Sequence, residues 1–224
     1  MSERLHRQAE PELMDEADEA LAYAAADFAE VNSAFVERLC GLAPDRAGAV
    51  ALDLGTGPAD IPARLAGRKP GWRIIAADAS RAMLLHGKAL LSRTGAGVCL
   101  VMADAKRLPF RNACMDIVFS NSILHHINET ARLWNEIKRV ARPGALVFVR
   151  DLARPRCASD ALDIVRKHAG NESALLREEY YRSLLAAYTE EEIAEQLDRA
   201  GLDGFEVRMV TDRHVDIWGE IPPA

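Results

Sequence analysis

The sequence predicts an α/β protein: a seven-stranded sheet, mostly parallel with a C-terminal antiparallel strand, and helices on both faces. Three observations predict it. From residue 49 short apolar runs alternate with amphipathic stretches, the pattern of strands buried on both faces and joined by crossover helices. A glycine turn, "LDLGTGP", directly follows the first apolar run. The chain closes on two alternating segments on either side of "TDR", as an antiparallel hairpin would.

Residues 13–40 read as an Ala-rich, acidic helical region without strand signal. "AVALDL" is the first strand and "DIPARLAGR" the polar-faced helix behind its turn. "WRIIAAD" is the second strand. "SRAMLLHGKALLSR" is its helix, with Ser80 as N-cap, a residue whose hydroxyl can accept an otherwise unpaired helix N–H. "GVCLVMAD" and "MDIVFSNS" are the next two strands, separated by a turn at "PFRNA". In "TARLWNEIKRVAR" the residues Leu133, Trp134, Ile137, Val140 and Ala141 fall on one helical stripe. "PGALVFVRD" is the fifth strand. Residues 158–200 are mostly helical, with "TEEE" at 189–192 as the capping box of the last helix. "FEVRMV" and "HVDIW" form the hairpin.

The bulk properties narrow the function. A chain of 224 residues, 49% hydrophobic and 28% charged, fits one domain with an ordinary core. We divide it as one domain, 1–224, with an N-terminal helical lid at 1–48 and a cofactor-binding core at 49–152. A helical insertion at 153–188 and a last helix and hairpin at 189–219 complete it. The net charge of −6 and the absence of a Lys/Arg run argue against nucleic acid as a partner. No run approaches the roughly 20 apolar residues of a membrane helix, and the N-terminus lacks a signal-peptide core. Cys40, Cys99, Cys114 and Cys157 are scattered and form no C-x-x-C pair. That reads as reduced thiols and a cytoplasmic protein.

The glycine turn carries the chemistry. Gly55 and Gly57 at the end of a first strand allow a ligand close to the backbone, beside the free N–H groups of a helix start. G-x-G alone is weak, because dinucleotide enzymes use it too. Its companions add to it: Asp78 ends the second strand, where a carboxylate can accept bonds from two ribose hydroxyls. Asp104 ends the third, where one can accept from an adenine amino group.

"LDLGTGPADIP", "AADASRAML", "ADAKRLPF", "MDIVFSNSILHHI" and "VARPGALVFVRD", in that order, resemble class I S-adenosylmethionine-dependent methyltransferases. The branch is that of the quinone-biosynthesis and other small-molecule enzymes. The resemblance covers residues 49–152 and implies a Rossmann-like fold, S-adenosylmethionine as cofactor and a small-molecule methyl acceptor. It implies that Asp53 organises the loop and the cofactor's amino group, and that Gly55 and Gly57 pass close to its methionine and ribose portions. It further implies that Asp78 holds the ribose with Ala79 beside the adenine, that Asp104 and Ala105 frame the adenine edge, and that Asn121 closes the site. The family's usual third glycine is Ala59 here, preceded by Pro58. Two other readings stand beside this one: a nicotinamide-dependent oxidoreductase, and a cofactor-binding regulatory protein without catalysis.

A phenol or carbon acid as methyl acceptor would need a proton acceptor, and His125 and His126 are the candidates, since histidine titrates near neutrality. The alternative is that they pack the strand–helix junction. Tyr23, Asp27, Phe28 and Asn32 are lid candidates. Tyr181 and Arg182, with Tyr180 and Tyr188 beside them, are substrate-pocket candidates; ordinary helix packing is the alternative for each. Asp151 either lines the site or caps the segment after it. His214 and Trp218 read as structural. The adjacent pair 125–126 cannot easily chelate one ion, so the expectation is no metal.

Overall fold

A computed structural model of the chain describes residues 5–11, 21, 28–43 and 46–223. Its strands are β1 (Val50–Leu54), β2 (Arg73–Asp78), β3 (Val98–Met102), β4 (Met115–Asn121), β5 (Ala141–Leu152), β6 (Glu206–Met209) and β7 (His214–Glu220). They form one sheet in the order β3-β2-β1-β4-β5-β7-β6. Strands β1 to β5 pair in parallel, and β7 inserts antiparallel between β5 and β6. The chain leaves β3 at one edge and re-enters beside β1 as β4. This reversal opens a crevice at the carboxyl ends of β1 and β4, the place where open α/β sheets bind ligands.

The helices are α1 (Ala29–Leu42), α2 (Asp60–Arg68), α3 (Arg81–Thr94), α4 (Thr130–Val140), α5 (Ala158–Ala169), α6 (Ala174–Ala186) and α7 (Glu190–Arg199). The central strands are apolar on both sides because each face is covered. On one face Phe35 and Leu39 of α1 and Leu65 of α2 pack against Ile74, Phe119 and Phe148. On the other, Trp134 and Ile137 of α4 and Ile193 of α7 pack against Leu52, Val118 and Val147. Burying each such side chain stabilises the fold by roughly 1.5–3 kcal/mol. A third cluster, including Leu152, Val165 and Leu184, joins α5 and α6 beyond the end of β5.

The local signals have structural counterparts. Ser80 Oγ accepts the Met83 N–H, and Thr189 and Glu192 form a reciprocal capping box. Leu133, Trp134, Ile137 and Val140 are the buried stripe of α4, whereas Ala141 is the first residue of β5. Strand β3 departs from the doubly covered pattern. As the edge strand it leaves Cys99 exposed and Met102 65% exposed. All four cysteines are free thiols. Among the described residues no helix is long and apolar enough to cross a membrane.

Before α1, residues 5–11 run as an extended strap docked by its backbone: the Leu5 N–H donates to Arg156 O and the Gln8 N–H to Leu185 O, both at 3.0 Å. Tyr23 and Asp27 lie outside the described residues.

Candidate active site

Strand β1 ends in a turn built from left-handed residues: Gly55 has φ +67°, Gly57 +54° and Ala59 +59°. Gly55 is required twice over. Its φ suits glycine, and a Cβ there would stand 2.7 Å from Ile123 Cδ1 and 3.0 Å from Ile123 Cβ. The turn is tied to β2, since the N–H groups of Gly55 and Thr56 both donate to Ala77 O at 2.9 and 3.0 Å. Ala59 holds its conformation at a cost of about 1–2 kcal/mol, and its methyl is fully buried. The space comes from the facing helix: a Cβ on Gly87 of α3 would meet the Ala59 methyl at 3.2 Å. The third glycine has in effect moved from the turn to the helix that packs on it.

Asp78, at the end of β2, braces this turn. Its Oδ2 accepts the Gly57 N–H at 2.7 Å and its Oδ1 the Ser80 N–H at 2.8 Å. Burial pushes its carboxyl above the usual range, with these backbone donors working against the shift. Asp53 is buried one residue before the end of β1. Burial holds its carboxyl well above the ordinary value; the Thr56 hydroxyl opposes this and the Asp78 charge adds to it. Asp53 and Asp78 act on each other as like charges, which favours a cationic ligand beside them.

Both belong to the wall of a cavity of about 1270 Å³ at the carboxyl ends of the strands. Gly55, Gly57, Ala79, Asp104, Ala105 and Asn121 line the same cavity, as do Phe28 and Asn32. Asp104 is exposed, accepting the Lys106 N–H at 2.8 Å and pairing with its ammonium at 3.1 Å. Asn32 Nδ2 donates to Asp60 Oδ2 at 2.9 Å, which ties α1 to the first turn of α2 at the cavity rim. After Asn121, Ser122 has φ +62°, a strained conformation for serine, at the point where the chain turns toward the histidines.

His125 and His126 sit on a short 3-10 turn, Leu124–His126, and both line the cavity. Asp151 sets that turn: Oδ2 accepts the Leu124 N–H at 2.6 Å, and Oδ1 lies 2.5 Å from His125 Nδ1. Burial would raise the Asp151 carboxyl, but the adjacent His125 charge and these hydrogen bonds hold it below the ordinary range. Burial would likewise lower His125, and Asp151 and Glu10 outweigh it to raise its pKa. Asp151 thus stays out of the cavity wall; its Oδ1 also accepts the N–H of the next residue, Leu152, at 2.7 Å, and it positions the histidine turn.

The substrate-side expectations need correction. Tyr181 packs with the α5–α6 cluster outside the cavity wall, and Arg182 is exposed, pairing with Glu178 and Glu179 at 3.1 and 3.3 Å. Helix phase decides this: Tyr180, one position earlier, lines the cavity, with its hydroxyl shut off from solvent and lacking a hydrogen-bond partner among the described residues. Burial raises that phenol to about 12. Tyr188 donates its hydroxyl to Ile127 O at 2.8 Å and is structural. His214 does face the cavity, its pKa pulled down to about 4 by burial, with Arg213 and Arg150 adding to the shift.

Glu10, in the strap, is the residue that sequence reasoning missed. Its Oε1 lies 3.0 Å from His126 Nδ1 and 3.5 Å from His125 Nε2. It sits in an extended segment without periodicity, so no local pattern singles it out.

Residues 52–149 match the family model described as a methyltransferase domain. The demethylmenaquinone methyltransferase of Roseiflexus castenholzii is 33% identical over 106 residues, covering 47% of this chain and 44% of the relative. The 27-O-demethylrifamycin SV methyltransferase of Amycolatopsis mediterranei is 29% identical over 178 residues, 76% of this chain and 64% of that one. The chain spans about half the length of the first curated relatives it matches. A Haemonchus contortus phosphoethanolamine N-methyltransferase, solved with phosphomonomethylethanolamine and S-adenosylhomocysteine, superposes with a TM-score of 0.70 at 19% identity. It covers 93% of this chain and 58% of its own, a likeness of fold.

Proposed function

We propose, from the premise that this chain carries a class I methyltransferase domain over residues 52–149, that it binds S-adenosylmethionine and transfers the methyl group to a small-molecule acceptor. One observation carries the reading: the glycine turn, the strand-end carboxylates Asp53, Asp78 and Asp104, and the histidine turn converge on one cavity.

The residues fit that cofactor. A carboxylate offers about four acceptor sites, and Asp78 uses one on each oxygen for backbone. With the Ala79 N–H also turned to this carboxylate, it keeps acceptor capacity toward the cavity for the hydroxyls of a ribose. The backbone at Gly55 and Gly57 is bare on the cavity side, and the Asp53–Asp78 floor favours positive charge. Asp104 and Ala105 then lie along the adenine edge, Ala79 beside the ring, and Asn121 at the far wall. Bound there, S-adenosylmethionine supplies an electrophilic methyl on a positively charged sulfur.

The chain's part is orientation. Cavity walls that hold an acceptor in line and exclude water contribute several kcal/mol to the barrier, up to roughly 7–11 in ideal cases. His125 and His126 are the groups that activate the acceptor, and Asp151 keeps their turn in place. Phe28 and Asn32 belong to the lid over the cofactor, and Tyr180 and His214 to the acceptor pocket. The four thiols support a cytoplasmic setting.

The two rival readings have less support. A dinucleotide fingerprint uses its third glycine for close packing of the helix on the strand, whereas the turn here carries the buried Ala59 methyl and finds its space at Gly87 of the facing helix. A regulatory protein would have no use for the paired histidines beside the cavity. Calorimetric titration with S-adenosylhomocysteine and with NAD⁺ tests the assignment. Binding of the first alone is the expected result; binding of NAD⁺ alone would refute it.

A further inference from the structure

Glu10 supplies the histidine pair with a third donor from outside the methyltransferase core. His125 Nε2, His126 Nδ1 and a Glu10 carboxylate oxygen all lie within 4.8 Å of one another. The two contacts to Glu10 Oε1, at 3.0 and 3.5 Å, bracket the spacing of neighbouring ligands on one ion. Ligand atoms each about 2.1 Å from a tetrahedral Zn²⁺ stand about 3.4 Å apart.

Glu10 and His125 are held by contacts outside the trio. The Ser183 hydroxyl donates to Glu10 Oε1 at 3.2 Å. Arg7 fixes the strap, donating to Ala186 O, Asn128 Oδ1 and His125 O at 2.6, 2.9 and 2.9 Å. Asp151 on Nδ1 leaves His125 Nε2 turned toward Glu10. A carboxylate behind the imidazole is the arrangement that orients and polarises metal-bound histidines.

His126 Nδ1 is shut off from solvent and, among the described residues, makes no hydrogen bond of acceptable geometry, despite its closeness to Glu10. Two lone-pair donors converging on a shared point account for that.

We propose that Glu10, His125 and His126 form a binding site for one divalent transition-metal ion, Zn²⁺ by its donor chemistry, open toward the cavity. The sequence-based expectation of no metal rested on the spacing of histidines and cysteines, whereas the third ligand is a carboxylate from a segment far away in the chain. For its use in catalysis the site rests on the function proposed above. An acceptor hydroxyl bound to the ion at its open position would ionise near neutrality, its proton passing to water, without a separate base. The binding of the ion itself does not depend on that reading.

The test takes the full chain, freed of metal by chelator and dialysed. It is titrated with Zn²⁺ by calorimetry and with Co²⁺ by absorption. The expected result is one equivalent bound, with a Co²⁺ spectrum of a nitrogen–oxygen site. Glu10→Gln and His126→Ala should each weaken binding at least tenfold, and Asp151→Asn about 10–100-fold, as loss of an orienting partner does. The proposal is overturned by no stoichiometric binding to the wild type, or by unchanged affinity in both ligand variants. A thiolate-to-cobalt band, which would put the ion on the cysteines, also overturns it. S-adenosylhomocysteine titrated into the same samples separates the two readings: tight cofactor binding by a chain that takes up no metal sinks this proposal and leaves the cofactor assignment standing.

Discussion

Replacing Asp78 by Asn changes one carboxylate oxygen into an amide nitrogen and keeps the side chain's size. In the wild type, one oxygen accepts from Gly57 at 2.7 Å and the other from Ser80 at 2.8 Å, and the carboxylate keeps acceptor capacity toward the cavity. The amide keeps one acceptor atom and sets its NH₂ against a backbone N–H, donor to donor. On the ligand side, a hydrogen bond from one ribose hydroxyl to a charged acceptor is lost, worth about 1.5–3 kcal/mol. That corresponds to roughly ten- to hundredfold weaker binding. Stability should suffer less, because removing the charge also relieves the burial penalty and the repulsion from Asp53. Calorimetry with S-adenosylhomocysteine measures the first effect, and thermal melting of the same sample controls for the second. An affinity within twofold of the wild type would refute the placement of the ribose on Asp78.

Other perturbations probe the frame around the site. Gly55→Ala combines a left-handed φ with contacts to Ile123 from 2.7 to 3.0 Å, and should cost about 2–4 kcal/mol in chemical denaturation; a loss under about half a kcal/mol would contradict the packing described. Gly87→Ala gains up to roughly 1 kcal/mol of helix propensity but presses on the Ala59 methyl at 3.2 Å. It should therefore be more favourable by about 1 kcal/mol in an Ala59→Gly background, and simple additivity in a double-mutant cycle would rule out the contact. His214, with a folded pKa near 4, resists a proton that the unfolded chain takes up near 6.5. Its contribution is intact above pH 6.5 and is lost as pH falls toward 4, by roughly 3 kcal/mol at most. NMR titration of the His214 ring would show a midpoint well below 6, and an ordinary midpoint would remove this part of the pH dependence.

Much of the cofactor side was legible in the sequence. Asp53, Asp78 and Asp104 stand at or beside strand ends, and the parallel register brings the carboxyl ends of β1, β2 and β3 to one edge of the sheet. Short apolar runs therefore suffice to place them around a common crevice. The acceptor side was harder to read because it depends on helix phase and on distant segments. Tyr180 and Tyr181 are adjacent, and only the packing of α6 against α5 decides which one faces inward. His214 sits on β7, whose place next to β5 comes from the antiparallel insertion rather than from chain order. Glu10 had no local signal, since its contacts come from an extended strap laid against α6 and the histidine turn. The compensating pair Ala59 and Gly87 was half visible: the missing third glycine is plain in the sequence, but its counterpart on the facing helix is not.

The most direct test of the central claim is a crystal structure of the chain with S-adenosylhomocysteine. The account predicts the ribose hydroxyls on Asp78, the adenine between Ala79 and Ala105, and the sulfur turned toward His126. Density for the ligand elsewhere on the surface, or with its adenine at the histidine end, would contradict it.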